Sequence, residues 1–189
     1  MLSPVLLEVV RYLRRSARQL TTVRARVERS RDIALFVTAF HTAQRGFDLS
    51  HALAAQVLSL PKGEGLIFNF HFGKTLRSSS HAVVARRDRD CNELCPVRAV
   101  QEFALVTKHA GWAPREGYLF PQADPDGSRG SSPWTAHDMS SRLQAAVSAA
   151  GLADGRKYSM HSFRVGEADS QALAGTAVDV VMAHVEWKT

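Results

Sequence analysis

Leu66-Ile67-Phe68-Asn69-Phe70-His71-Phe72-Gly73 decides the fold class. Leu66, Phe68, Phe70 and Phe72 alternate with Ile67, Asn69 and His71. A period of two marks a half-buried strand. Gly73 breaks the run, and Ala82-Val83-Val84-Ala85 offers the returning strand, so Lys74 falls in or beside a hairpin turn. Almost everywhere else the apolar spacing is three and four, the helical period. The expected fold is therefore α-rich mixed α+β, mainly helical with one small antiparallel sheet.

Towards the N-terminus, Asp48 to Leu58 reads as a short helix closed by Pro61. Before it, Ile33, Phe36, Val37 and Phe40 share one side of a helix that follows Arg31-Asp32 and ends at Arg45-Gly46. Leu6, Val10, Leu13, Ala17 and Leu20 make residues 3–28 an amphipathic helix with arginines on its other face. Towards the C-terminus, a helix runs from Cys95-Pro96 to about His109, with Val100, Phe103 and Ala104 inward. Tyr118-Leu119-Phe120 offers a short edge strand, and residues 121–134, rich in Pro, Gly, Asp and Ser, read as an exposed loop. Thr135-Ala-His-Asp138 is a capping-box type start for a helix burying Met139, Leu143, Val147 and Ala150. Two further helices, about 162–173 and 177–186, follow. There is no internal repeat.

The 189 residues suffice for one domain with a sizeable core. At 45% hydrophobic and 22% charged, the composition is globular rather than disordered. Lys and Arg number 24 against 18 Asp and Glu, a net charge of +6, which favours polyanion partners and above all nucleic acid. No stretch approaches the length of a membrane span, so a membrane is not an expected partner. Cys91 and Cys95 are the only cysteines, and no histidine cluster completes a zinc site around them. Two ordinary thiols in a reducing, intracellular compartment are expected, with neither metal nor cofactor. The N-terminus lacks a secretory pattern, but Arg11, Arg14, Arg15, Arg18, Arg24 and Arg26 against Glu8 and Glu28 leave organelle targeting open beside a solvated basic helix face.

The chemistry concentrates in Tyr158-Ser-Met-His161-Ser-Phe-Arg164-Val-Gly166. His161 and Arg164, three apart at a helix start, share one helical face. A guanidinium fork and an imidazole there can donate to one phosphate. Singly the fragments are weak. Arg45 alone is a surface residue beside a helix stop, Lys74 a turn lysine with Arg77 as its rival, and Trp187 an edge aromatic.

In order, Gln44-Arg45-Gly46-Phe47-Asp48-Leu49, Gly73-Lys74, the H-x-x-R of His161 and Arg164, and Trp187 resemble the catalytic half of the tyrosine recombinase (phage integrase) family. Arg45-Gly-Phe-Asp-Leu, Cys95-Pro-Val and His161-Ser-Phe-Arg-Val-Gly are similar to its eukaryotic, transposon-associated (Crypton-like) branch. The resemblance covers residue 31 to the end. It implies a fold of the DNA breaking-rejoining enzyme type. Arg45 and Arg164 would hold the scissile phosphate, with Asp48 supporting Arg45. Lys74 would be the mobile general acid, His161 would stand beside the phosphate, and Trp187 would pack against it. His184 is a second candidate for the functional imidazole.

Residues 1–30 would be an N-terminal helix, a remnant of the core-binding domain or a linker, and 31–189 the catalytic domain. The family's nucleophile is a tyrosine on a later helix, yet Tyr12, Tyr118 and Tyr158 all precede Trp187. The implied protein is thus a truncated recombinase domain, nuclear if eukaryotic, that binds double-stranded DNA, assembles as copies on it, and does not cleave it alone. Glu167, Asp169 and Glu186 depart from the family pattern by adding carboxylates where small or neutral residues are usual. They keep open the alternative of a basic helical interaction module, or a decayed fragment, without nucleic-acid activity.

Overall fold

The computed structural model describes residues 3–71, 81–113, 115–152 and 155–185. It is mostly helical, with one three-stranded antiparallel sheet. The first helix, α1 (Ser3–Ala17), buries Leu6, Val9, Val10 and Leu13 along one stripe. It ends eleven residues before the 3–28 span expected of it. Ser16 turns its hydroxyl back onto the carbonyls of Tyr12 and Leu13, and the chain restarts at Thr22. That threonine is extended (φ −91°, ψ 148°) and accepts from the amide of Ala25, an N-cap for α2 (Val23–Thr42). The second helix therefore begins well before Arg31-Asp32, and the boundary drawn at 30/31 falls inside it.

Every residue of α2 from Arg31 to Phe40 is buried. A helix apolar on all sides belongs at the centre of a core, and α2 packs against α1, α4 (Pro96–His109) and α6 (His161–Leu173). It ends at Ala43, which adopts the left-handed conformation (φ 50°, ψ 23°). The helix expected over 48–58 is replaced by three pieces: α3 (Gly46–Ser50), a 3-10 turn at Ala54–Gln56, and β1 (Val57–Ser59). Val57 and Leu58 are apolar, but they pair with Phe68 and Ile67 of β2 (Gly65–Phe70). A three-residue edge strand is too short for its periodicity to show.

β2 buries Leu66, Phe68 and Phe70, as the alternation requires, and pairs on its other side with β3 (His81–Arg86) in the register Phe68↔Val83. Tyr118 forms only an isolated bridge with Leu53, so the expected edge strand is absent. Its carbonyl accepts from the Arg129 side chain at 2.5 Å instead of from a neighbouring strand. The 121–134 loop is not simply exposed. Pro121, Ala123, Gly127, Gly130 and Trp134 are buried, and Trp112 donates its indole N–H to the Gly127 carbonyl at 3.0 Å.

α5 (Ala136–Ala149) starts at Thr135, whose hydroxyl oxygen accepts from the Asp138 amide, and buries Met139, Leu143, Ala146 and Val147. One connected core runs from α1 to Phe163 of α6. A second small cluster of Ala43, Ala168, Val181 and Val185 fastens α7 (Val178–His184) to the end of α2. Cys91 and Cys95 are free thiols. Among the described residues, no helix is long and apolar enough to cross a membrane.

Candidate functional site

The left-handed turn at Ala43 builds one corner of the molecule. A helix leaves its last carbonyls without intrahelical partners, and the negative end of its dipole lies there. Arg164, on the first turns of α6, donates Nη1 to the Ala43 carbonyl at 2.9 Å and Nη2 to the Val185 carbonyl. Ala43 caps α2 and Val185 caps α7. One guanidinium thus closes two helix C-termini. It is 2% exposed.

Two residues beyond Ala43, Arg45 occupies the N-cap position of α3. It is half-buried; its carbonyl accepts from the Leu49 amide at 3.0 Å, and its side chain makes no capping hydrogen bond. Gly46 follows at a point where segments of the chain pass closely. A Cβ there would lie 3.1 Å from the Cβ atoms of both Ala136 and Met160. Met160 immediately precedes His161, so the starts of α3 and α6 touch. His161, the first residue of α6, is exposed. The α6 start is held by the Met160 amide donating to Ser140 Oγ at 3.2 Å and the Ser159 amide donating to Ser162 Oγ at 3.0 Å. Asp48 lies buried in the first turn of α3.

The hairpin between β2 and β3 is tied to the same corner. His81 Nε2 lies 3.1 Å from Gln44 Oε1 and its ring stacks on Phe70, centroids 5.2 Å apart. Lys74 and its rival Arg77 fall between His71 and His81, outside the described residues, as do Glu186 and Trp187. The chain therefore brings the Gln44-Arg45-Gly46 run, the H-x-x-R turn, the base of the hairpin and the end of α7 together. Sequence reasoning passed over His81. Its signal was the alternation with Val83 and Ala85, which puts it on the inward face of β3.

Behind Arg164 sits a group of half-buried titratable side chains. His184 Nε2 is 4.0 Å from Glu167 Oε1, and Gln171 donates to the same carboxylate oxygen at 2.9 Å. Burial, and then the charge of Arg164, lowers the His184 pKa. Burial raises that of Glu167. His41, whose Nε2 bonds the Leu94 carbonyl at 2.8 Å, is likewise lowered by burial. Each shift favours the neutral form. Asp169 is exposed.

No protein-family model matches this chain, and no curated protein is significantly similar to it in sequence. The geometry has to carry the functional reading by its own chemistry. Arg45 and His161 offer a cation and an imidazole near the surface, side by side through Gly46 and Met160. Arg164 spans the same corner from beneath, with two of its donors on carbonyl oxygens.

Proposed function

We propose that this chain is a duplex-DNA-binding domain of the tyrosine-recombinase type, with a fold of the DNA breaking-rejoining kind. One phosphate is received by Arg45, His161 and Arg164, joined by Lys74 and Trp187 and supported by Asp48 and His184. The observation that carries the reading is the hydrogen bond from Arg164 to the Ala43 carbonyl, across 121 positions of sequence. It unites the two arginine-bearing segments that a phosphate clamp requires. Two guanidiniums can take the non-bridging oxygens of a phosphodiester, and their charge stabilises the more anionic five-coordinate transition state. Strand cleavage further needs a nucleophile and a general acid. No nucleophile is assigned among Tyr12, Tyr118 and Tyr158, and the activity proposed for residues 1–189 is duplex binding.

Fluorescence anisotropy with a labelled duplex over a salt series tests this. Phosphate contacts make the affinity fall steeply with salt, and a suicide substrate should give no covalent adduct with this chain alone. Absence of duplex binding at low salt would overturn the reading; a denaturation-resistant adduct would overturn the claim that it does not cleave.

A second reading is favoured by one specific observation, the 2% exposure of Arg164. A guanidinium given to two helix-end carbonyls is performing a structural task. On that reading the chain is a basic helical interaction module, and Arg45 and His161 are surface residues.

A further inference from the structure

A second basic feature lies between α1, α2 and α4. A groove of about 490 Å³ is lined there by Arg14, Arg18, Arg26, Arg29, Arg98 and Glu102. Its α2 residues lie at Arg26 to Ile33, and at 1.5 Å per residue Ser30 is roughly 18 Å along the helix from Thr42 and the corner described above.

Glu102 is the single acid of the lining, and it is already shared. Arg14 Nη1 donates to one of its oxygens at 2.6 Å and Arg98 Nε to the other at 2.7 Å. The other three arginines have no acidic partner among the described residues. Arg29 donates Nη1 to Ser16 Oγ at 2.8 Å, Arg26 donates to the Thr21 carbonyl at 3.1 Å, and Arg18 is exposed. Five guanidiniums against one carboxylate leave a charge of +4 in one groove.

Among the described residues, Nε and Nη2 of Arg14 and Nε of Arg29 have no hydrogen-bond acceptor, and each is closed to water. The accessible donors are therefore those of the exposed Arg18 and Arg26 and the partly exposed Arg98, and the outer edge of a guanidinium plane can grip a bidentate oxyanion.

We infer that this groove binds a small ligand bearing two or more phosphate groups. Each phosphate monoester carries a charge of about −1.5 to −2 near neutral pH, so two of them match the +4. The volume lies within the usual range for a small-molecule site, roughly 300–1,000 Å³. Ile33, Leu105 and Val106 supply an apolar wall. Leu105 is 56% exposed, which suits an organic moiety attached to the phosphates.

Calorimetric titration of the whole chain tests this with three probes: inorganic triphosphate, ADP and sulfate. Triphosphate is expected to bind at least tenfold more tightly than sulfate, with ADP above triphosphate if the apolar wall takes part and below it, yet above sulfate, if phosphates alone are read. The double variant R18Q/R26Q changes exposed side chains only, so the fold is kept, and it should weaken triphosphate at least tenfold. Arg14→Gln should do the same, with circular dichroism to verify folding. Equal affinity for sulfate and triphosphate, or binding that survives R18Q/R26Q but is lost in Arg45→Gln, overturns the proposal. So does a loss of duplex affinity in R18Q/R26Q as large as the loss of triphosphate affinity, since the groove is then a DNA surface. A chain that binds no duplex at all leaves this site standing, because its evidence lies at the other end of α2.

Discussion

Arg31 and Arg164 are both 2% exposed, yet the fold answers their charges differently. Arg31 lies against a carboxylate and a ring. Its Nη2 is 3.0 Å from Asp32 Oδ1, its guanidinium carbon is 3.6 Å from the Trp134 ring centroid, and its Nη1 donates to the Pro121 carbonyl at 3.1 Å. Burial lowers its pKa and Asp32 works against that. Asp32 in turn receives Arg142 Nε at 2.8 Å. This is a closed staple that holds both ends of the 121–134 loop to α2. Arg164 instead answers the carbonyls that end α2 and α7. Arg31 is fixed between one helix and one loop, whereas Arg164 lies at the corner that also holds the half-buried Arg45 and the exposed His161. Equal burial therefore does not separate a structural arginine from one beside a candidate site; the neighbouring surface does.

Replacing each arginine separates the two cases. Arg31→Met breaks a buried pair with its partner left in place, and should cost about 3 kcal/mol in urea denaturation. The duplex affinity of the folded fraction should not change. Arg164→Met strands two carbonyl oxygens and should cost about 2 kcal/mol. Under the recombinase reading it also lowers duplex affinity, measured below the melting temperature. A stability loss with unaltered affinity would remove Arg164 from the phosphate site and leave it as a helix-end clamp, the equal of Arg31.

A smaller effect is expected at the contact between α3 and α6. Gly46→Ala inserts a methyl at 3.1 Å from two Cβ atoms fixed to their backbones. Overpacking of this kind should cost about 1 kcal/mol. If the corner matters for binding, it should shift duplex affinity as well, because Arg45 and His161 move with it. Unchanged stability and affinity would mean that the corner is loose.

The gentlest probe is pH. His41 and His184 have folded pKa values below the ordinary 6.5. Above that value both states are neutral and stability is full. As the pH falls below 6.5 the unfolded chain takes up protons that the folded chain does not, so stability declines. Glu167, raised above its ordinary 4.5, acts in the opposite sense: stability is lost as the pH rises from 4.5 through its folded value. Melting temperatures from pH 7.5 to 5 should fall, and His184→Gln should flatten part of that slope. An unaltered slope would show that the group behind Arg164 does not titrate as a half-buried cluster.

Local patterns made much of the fold legible. The alternation from Leu66 to Phe70 settles β2, and the Thr135 start and the Pro96 start mark α5 and α4. These signals are written within a few residues, because side-chain period and capping are local physics. The break at Ala17 and the restart at Thr22 were written there too, but two amphipathic helices joined by a five-residue link present a nearly continuous apolar period. β1 was hidden for a different reason. Three residues make a strand only when a partner lies alongside.

For the candidate site, the sequence by itself determined which residue types were present and in what order: Arg45 before Lys74, then His161, Arg164 and Trp187. It also determined the net positive charge. Only the tertiary structure decided that the α6 arginine turns inward to the Ala43 and Val185 carbonyls, that His81 meets Gln44, and that four arginines from three helices, with Arg18 from the turn after α1, line one groove. Those are contacts between residues up to 121 positions apart. A guanidinium's partner depends on which carbonyls and carboxylates packing carries to it, and no local period encodes that.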